Sequence, residues 1–328
     1  MANTPNIAIV TTLRNAGRML DSFIAYHLAI GFSHIFLFFD DPADPDLPRM
    51  RAHPSVTAFA HNESLRESWK ALSQYETQGA FIDREVMARQ VLNAELAMGK
   101  ARDMSFDWLL HIDSDELFYS PHQSATEHFA SLSGQNFDTM NYPNFEAVPE
   151  QDDIGDVFRE IDLFKPPAHL TRFSPAAIRL LQATPQLLPN FFHFYASGKS
   201  AVRLAAKDMR PMGVHDFIRA DGHYPGTHST RHFILHYACC GFENFWTKYV
   251  TLGRFPDQWW NAYDIVASIG PFHLQARDVV AKGDRDAAKA FYRQRLAIED
   301  DKKVSALVAA GILQRISEPK RILAAAQR

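Results

Sequence analysis

The segment His111-Ile112-Asp113-Ser114-Asp115-Glu116 places three carboxylates within four residues, directly after the apolar run Trp108 to Ile112. A run of that kind reads as a buried strand. Taking carboxylates out of water is costly unless something positive meets them. A divalent cation is the natural partner, because Mg²⁺ and Mn²⁺ take carboxylate oxygens and keep positions open for substrate phosphates. Asp113 and Asp115, two apart at a strand end, are therefore the metal candidates. One would ligate the ion while the other holds a ribose hydroxyl or a metal-bound water. The plain alternative is an acidic turn with Asp115 as a helix N-cap.

Those carboxylates need a scaffold, and the first half of the chain supplies its pattern. Ile7 to Thr11, His34 to Phe39, Val56 to Ala60 and Trp108 to Ile112 are short apolar runs. Between them lie helical patterns. Leu20, Ile24, His27 and Leu28 share one face, with Gly31 as the stop. Asp83 is placed to cap a helix over 84–101, whose Met87, Val91, Ala94 and Met98 form one stripe. Strand–helix–strand order of this kind predicts an α/β fold around a mostly parallel sheet. Ligands of such sheets sit beyond the carboxyl ends of the strands. Polar residues follow three of the runs there: Thr12 and Arg14, Asp40 and Asp41, and Asp113 and Asp115. In the second half, Phe191 to Tyr195, Ala201 to Leu204 and Phe233 to Tyr237 read as strands. Glu243 to Leu252 and roughly 285–310 read as helices.

Composition narrows the class. The chain has 328 residues, 46% hydrophobic and 22% charged, with a formal net charge of −4. That balance is globular and offers no broad attraction to nucleic acid. The only cysteines, Cys239 and Cys240, are adjacent, so neither a disulfide framework nor a four-ligand zinc site is expected. No apolar run approaches the roughly 18 residues that span a bilayer, and no secretory leader is read at Met1 to Asn6. The expectation is a cytoplasmic protein with at most peripheral membrane contact. One catalytic domain is expected over 1–255, divided near 120 into a donor half and an acceptor half, with a helical extension over 256–328.

Several blocks carry a resemblance. Val10-Thr11-Thr12-Leu13-Arg14-Asn15, Phe23 to Gly31 and His34 to Asp41 resemble the opening of glycosyltransferases of family 92 and related family 2-like enzymes. Asp107 to Phe118 is similar to their tryptophan, apolar run and D-x-D-E-F segment. Gly198 to Arg203, Gly213-Val214-His215 and Ile234 to Tyr237 resemble later blocks. Ala16 stands where that pattern often has Glu, and 144–156 departs from its glycine-rich block.

The resemblance implies a GT-A fold, a nucleotide-diphosphate sugar donor (UDP by this likeness), Mn²⁺ or Mg²⁺, and inversion at the anomeric carbon. It makes Asp115 the main metal ligand, with Asp113 nearer the donor. Thr12, Arg14 and Asp40 or Asp41 would line the nucleoside pocket, and Gln90 and Asn93 would face the same cleft. A late histidine often completes such a metal site, which singles out His215 and His236. Lys199 and Arg203 are placed to neutralise the departing diphosphate. Inversion needs a carboxylate to take the acceptor's proton. Glu146, Glu150, Asp152, Asp153 and Asp216 are the candidates; Glu146, in an aromatic context beside Tyr142 and Phe145, is the first choice, with Asp216 kept beside it. The expected activity is hexosyl transfer to a glycan, a lipid-linked or another hydroxyl acceptor. A sugar-phosphate nucleotidyltransferase and a non-catalytic nucleotide-sugar-binding module are the alternatives.

Overall fold

The computed structural model describes residues 4–171, 173–184, 197–259, 263–264 and 272–326. The strand expected at Phe191 to Tyr195 lies outside them. The chain forms two compact units. The first contains residues 1–143 and 197–234, and the second contains residues 144–196 and 235–328.

The first unit is built on seven strands. These are β1 (Ile7–Leu13), β2 (His34–Phe39), β3 (Val56–Ala60), β4 (Trp108–His111), β6 (Thr139–Tyr142), β9 (Lys199–Arg203) and β12 (Gly226–His228). Five further strands lie outside this sheet: β5 (Glu116–Tyr119), β7 (Asn144–Ala147), β8 (Leu163–Lys165), β10 (Met209–Met212) and β11 (Asp216–Arg219). The order across the sheet is β12-β6-β9-β4-β1-β2-β3. Pairings β1–β2, β2–β3, β1–β4 and β12–β6 are parallel. Only β9 runs against its neighbours β4 and β6. The fold is thus mixed α/β with a mostly parallel central sheet, as expected.

Burial explains the strand composition. Every residue of β1 and β2 is buried, which is why both read as continuous apolar runs rather than alternating ones. The helix Val86–Asp103 packs its Ala94, Ala97, Met98 and Ala101 into the core that holds Ala8, Val10, Phe36, Phe38 and Leu109. It begins two residues later than expected. Asp83 does not cap it; its carboxylate instead accepts a hydrogen bond from the Arg66 guanidinium at 2.8 Å. The helix Arg18–Ala29 stops before Gly31, whose φ of +109° suits a glycine.

Strand order reverses at β1, with β2 and β3 on one side and β4 on the other. In parallel α/β sheets this arrangement opens a crevice at the carboxyl edge. Because β9 is antiparallel, its first residue Lys199 lies at that same edge, while Arg203 lies at the opposite one, level with Trp108.

The second unit pairs β7 with β8 and β8 with Gln314–Arg315, both antiparallel. Its helices close over Leu163, Ala177, Leu181, Val304 and Leu307. A second cluster gathers Phe242, Phe245, Tyr249, Phe272 and Tyr292. The single helix expected over 285–310 is two, Arg285–Arg295 and Asp301–Ala309. Asp300 caps the second by accepting from Lys302 and Lys303. Cys239 and Cys240 are free and buried. No described helix is long and apolar enough to cross a membrane.

Buried imidazoles mark the first unit. His27, His111 and His128 are almost fully enclosed, and burial pulls each pKa down to about 3. His27 donates Nδ1–H to the Phe23 carbonyl and accepts from the Phe118 backbone, which fixes it as a neutral tautomer. Below about pH 6.5 the unfolded chain protonates these rings while the folded chain does not. Each ring therefore withdraws up to about 1.4 kcal/mol of stability per pH unit as the pH falls toward about 3. The melting temperature, followed by circular dichroism, should decline steadily from about pH 7 to about pH 4.5. A flat profile would contradict neutral burial.

Candidate functional site

The acidic turn leaves β4 at the carboxyl edge of the sheet, and its charges are met from two elements. From the helix Val86–Asp103, Gln90 donates Nε2 to Asp113 Oδ1 at 2.6 Å. From the start of β9, Lys199 donates Nζ to Asp113 Oδ2 at 2.7 Å and to the Val214 carbonyl at 3.2 Å. Its Nζ also lies 3.8 Å from Glu116 Oε2. The Glu116 carboxylate closes the turn on itself by accepting the Asp113 backbone N–H at 2.7 Å. Burial alone would lower the Lys199 ammonium, yet Asp113, Glu116 and Asp115 outweigh it and raise its pKa. Lys199 is charged at every physiological pH.

Backbone geometry sets that lysine. Gly198 has a φ of +69°, and a Cβ there would stand 2.4 Å from the Tyr142 carbonyl oxygen and 2.8 Å from Asn141 Oδ1. Only glycine fits. His215 reaches the same corner, with Nδ1 2.8 Å from the Gly198 carbonyl oxygen. Asp115 is half-buried on the turn.

A second polar group joins β1 to the helix. Trp69 is fully buried and donates Nε1–H to Asn93 Oδ1 at 3.1 Å. Indole can only donate, so the Asn93 amide nitrogen faces the other way. It donates to Thr12 Oγ1 at 2.9 Å. A third group follows β2. Asp40 forms a two-pronged ion pair with Arg89, in which Nη2 meets Oδ2 at 2.8 Å. His61 lies 3.7 Å from Asp40. Asp41 instead turns on itself, accepting the Ala43 N–H at 2.9 Å. Asp44 accepts the Asn15 N–H at 3.1 Å and so ties the loop after β1 to the loop after β2.

The structure therefore brings Gln90, Asp113, Lys199 and His215 to one corner of the first unit, and joins Thr12 to Asn93 on the same helix. Arg14 is exposed after β1. Arg203 stands apart from this group: its guanidinium lies 4.6 Å over the Trp108 ring and donates to the Leu132 carbonyl. Asp216 opens β11, where its carboxylate accepts the Phe217 N–H at 2.8 Å, and its charge together with burial raises the Tyr224 hydroxyl. Glu146 and His236 belong to the second unit and meet there. Glu146 Oε2 lies 3.0 Å from His236 Nδ1, and Asn144 donates to Oε1 at 3.2 Å. Burial lowers Lys165, which pairs in register with Glu146 and is partly restored by its charge.

Sequence reasoning missed Arg89, Trp69 and Asp44, and saw Glu116 only as the third acid of the turn. Arg89 and Gln90 stand side by side at the start of an otherwise small and apolar helix face, and that contrast was the available signal.

The residues present suit a cation held by few protein atoms. Among the described residues, no group of three or more His, Cys, Asp or Glu converges on one metal position. Mg²⁺-type sites that serve phosphate substrates commonly use one or two carboxylates, with the substrate's own oxygens completing the shell. Asp115 and the adjoining Asp113 meet that smaller requirement.

No family model matches the chain. Two glycosyltransferase-like proteins of Arabidopsis thaliana are similar to it over 97% of its length, at 27% and 25% identity. The chain spans 72% of the first and 63% of the second. Among solved structures, core-mannan synthase A of Aspergillus fumigatus in its Mn/GDP form shares 10% identity at a TM-score of 0.31, covering 62% of this chain and 61% of that one. Glucosyl-3-phosphoglycerate synthase of Mycobacterium tuberculosis with phosphoglyceric acid shares 14% at 0.28, covering 61% and 57%.

Arg89→Ala should cost about 3–5 kcal/mol, because it strands the largely buried Asp40 carboxylate. Urea unfolding measures the loss. Adding Asp40→Leu should recover part of it, and an additive double change would contradict the pairing.

Proposed function

We propose that this chain transfers a sugar from a nucleotide-diphosphate donor to a hydroxyl acceptor, as a GT-A glycosyltransferase related to family 92 and family 2-like enzymes. The observation that carries the reading is the position of the Asp113-Ser114-Asp115 turn. It sits at the carboxyl edge of a mostly parallel sheet, where the strand order reverses between β4 and β1. Donor ligands of α/β sheets bind at such points. The similarity to two glycosyltransferase-like proteins along 97% of the chain supports it independently.

In this reading Thr12, Arg14 and Asp41 line the nucleoside end of the cleft. Asp40, held by Arg89, fixes the loop beneath. Gln90 and Lys199 hold Asp113 in one rotamer, so it is preorganised to accept from a donor hydroxyl. Asp115 would be the principal ligand of a divalent cation, and His215, held on the Gly198 carbonyl, would be the candidate imidazole ligand. When bound, the cation neutralises negative charge on the departing diphosphate. The reaction inverts the anomeric carbon, UDP is the nucleotide, and the sugar is a hexose. Glu146 and Asp216 are the carboxylates proposed to take the acceptor's proton. Glu146 suits the task because His236 and Asn144 fix its orientation. The acceptor is a glycan or a lipid-linked hydroxyl, and the site of action is cytoplasmic.

The test has two parts. A thermal-shift series with UDP-, GDP- and CMP-sugars, each with and without Mn²⁺, should raise the melting temperature with one donor, and more so with metal. Saturation at about 100 Kd stabilises by about 2.7 kcal/mol. Asp115→Ala should then reduce sugar transfer by on the order of 100-fold or more while leaving the circular dichroism spectrum intact. Full turnover in that variant, or pyrophosphate release from an NTP and a sugar phosphate, would overturn the reading.

A further inference from the structure

We propose that Lys199 is the resident cation of the acidic turn, so that the protein alone holds no divalent cation there and takes one up only together with a nucleotide diphosphate. The inference rests on the donor-site reading above and adds an order of binding to it.

The case begins with burial. The Lys199 side chain is 1% exposed and the Glu116 side chain 2% exposed. Neither is a surface charge that salt screens. The ammonium lies 2.7 Å from Asp113 and 3.8 Å from Glu116. The other Asp113 oxygen accepts from Gln90, and the Glu116 carboxylate also accepts the Asp113 backbone N–H. Groups of the chain itself therefore occupy the two carboxylates that flank the turn.

The lysine is built in, not caught in passing. Its residue pairs in register with Tyr142 on β6, and the preceding Gly198 admits no side chain. His215 and the Val214 carbonyl close the other side. A divalent ion seated on Asp113 would face this fixed ammonium at a few ångströms, where like charges in a poorly solvated site repel strongly. Asp113 and Glu116 are already met by Lys199, Gln90 and the Asp113 backbone N–H, so a divalent ion arriving alone would have to displace those contacts or rest chiefly on Asp115. A diphosphate brings its own charge and its own oxygen ligands. It turns an unfavourable site into one where a cation bridges Asp115 and the phosphates. Replacing the lysine by a neutral side chain would leave the acidic turn short of one positive charge, and a metal ion would then supply it.

The experiment measures Mn²⁺ binding to the full chain by electron paramagnetic resonance and by melting temperature, with Mn²⁺ alone, UDP alone, and both. Wild type should bind Mn²⁺ weakly alone and at least about tenfold more tightly with UDP, a difference of about 1.4 kcal/mol. Lys199→Met should gain Mn²⁺ binding without UDP, and Mn²⁺ should raise its melting temperature while leaving that of wild type unchanged. Lys199→Arg keeps the charge and should behave as wild type. Should Lys199→Met fail to fold, Lys199→Gln replaces it. Wild type binding Mn²⁺ as tightly without UDP as with it would overturn the proposal. So would a folded, neutral Lys199 variant that gains no Mn²⁺ affinity. UDP failing to bind under any condition would count against the sugar-nucleotide reading, while the Mn²⁺-only comparison of wild type with the neutral variants would still decide the role of Lys199.

Discussion

Between β4 and β9, a buried ammonium and a carboxylate from positions 86 residues apart in the chain meet at 2.7 Å. Much of the first unit follows from accommodating that pair. Charges taken out of water must be matched closely, or they cost more than folding returns. The match here requires β9 to enter the sheet antiparallel, Gly198 to take a left-handed backbone, and Gln90 to face inward from a helix surface that, Asn93 apart, is small and apolar. Burial lowers the His111 imidazole, the Lys199 ammonium lowers it further, and Asp113 opposes that effect. One electrostatic requirement thus joins a strand, a helix and a turn at the edge where an α/β sheet binds its ligands.

Much of the scaffold was legible because it follows from hydrophobic patterning. His34–Phe39 and Val56–Ala60 are strands over the expected residues, and β1 extends only two residues past the expected Thr11. Fully buried strands leave an unbroken apolar run, and the turn after β4 announces itself by ending one with three acids. Boundaries set by single side chains were less visible. Asp83 could cap a helix or pair with Arg66, and the sequence alone does not decide between a local hydrogen bond and a contact 17 residues away. The break near Asp300 is likewise a capping choice within a stretch whose composition suits helix throughout.

Candidate site residues divided along a similar line. Gln90 and Asn93 share a helix face, so their common direction could be read from periodicity, and both do reach the strand ends. Lys199 and Arg203 lie four residues apart, and from the sequence both suit the same role at the departing diphosphate. In a strand, four residues span most of the sheet's depth, and the two cations stand at opposite edges. Only the strand's direction separates them, and direction is a property of topology. Asp40 and Asp41 are also adjacent, yet one is taken by Arg89 and the other by its own turn. Which neighbour receives the arginine depends on the pleat at the end of β2.

The central claim is that the carboxyl edge at β1 and β4 receives the donor's diphosphate. A crystal structure with UDP and Mn²⁺, with the anomalous signal locating the metal, tests it most directly. The account predicts the diphosphate beside Asp115, the metal bridging the two, and Lys199 still paired with Asp113. Nucleotide bound elsewhere, with Asp115 remote from both metal and phosphate, would contradict it.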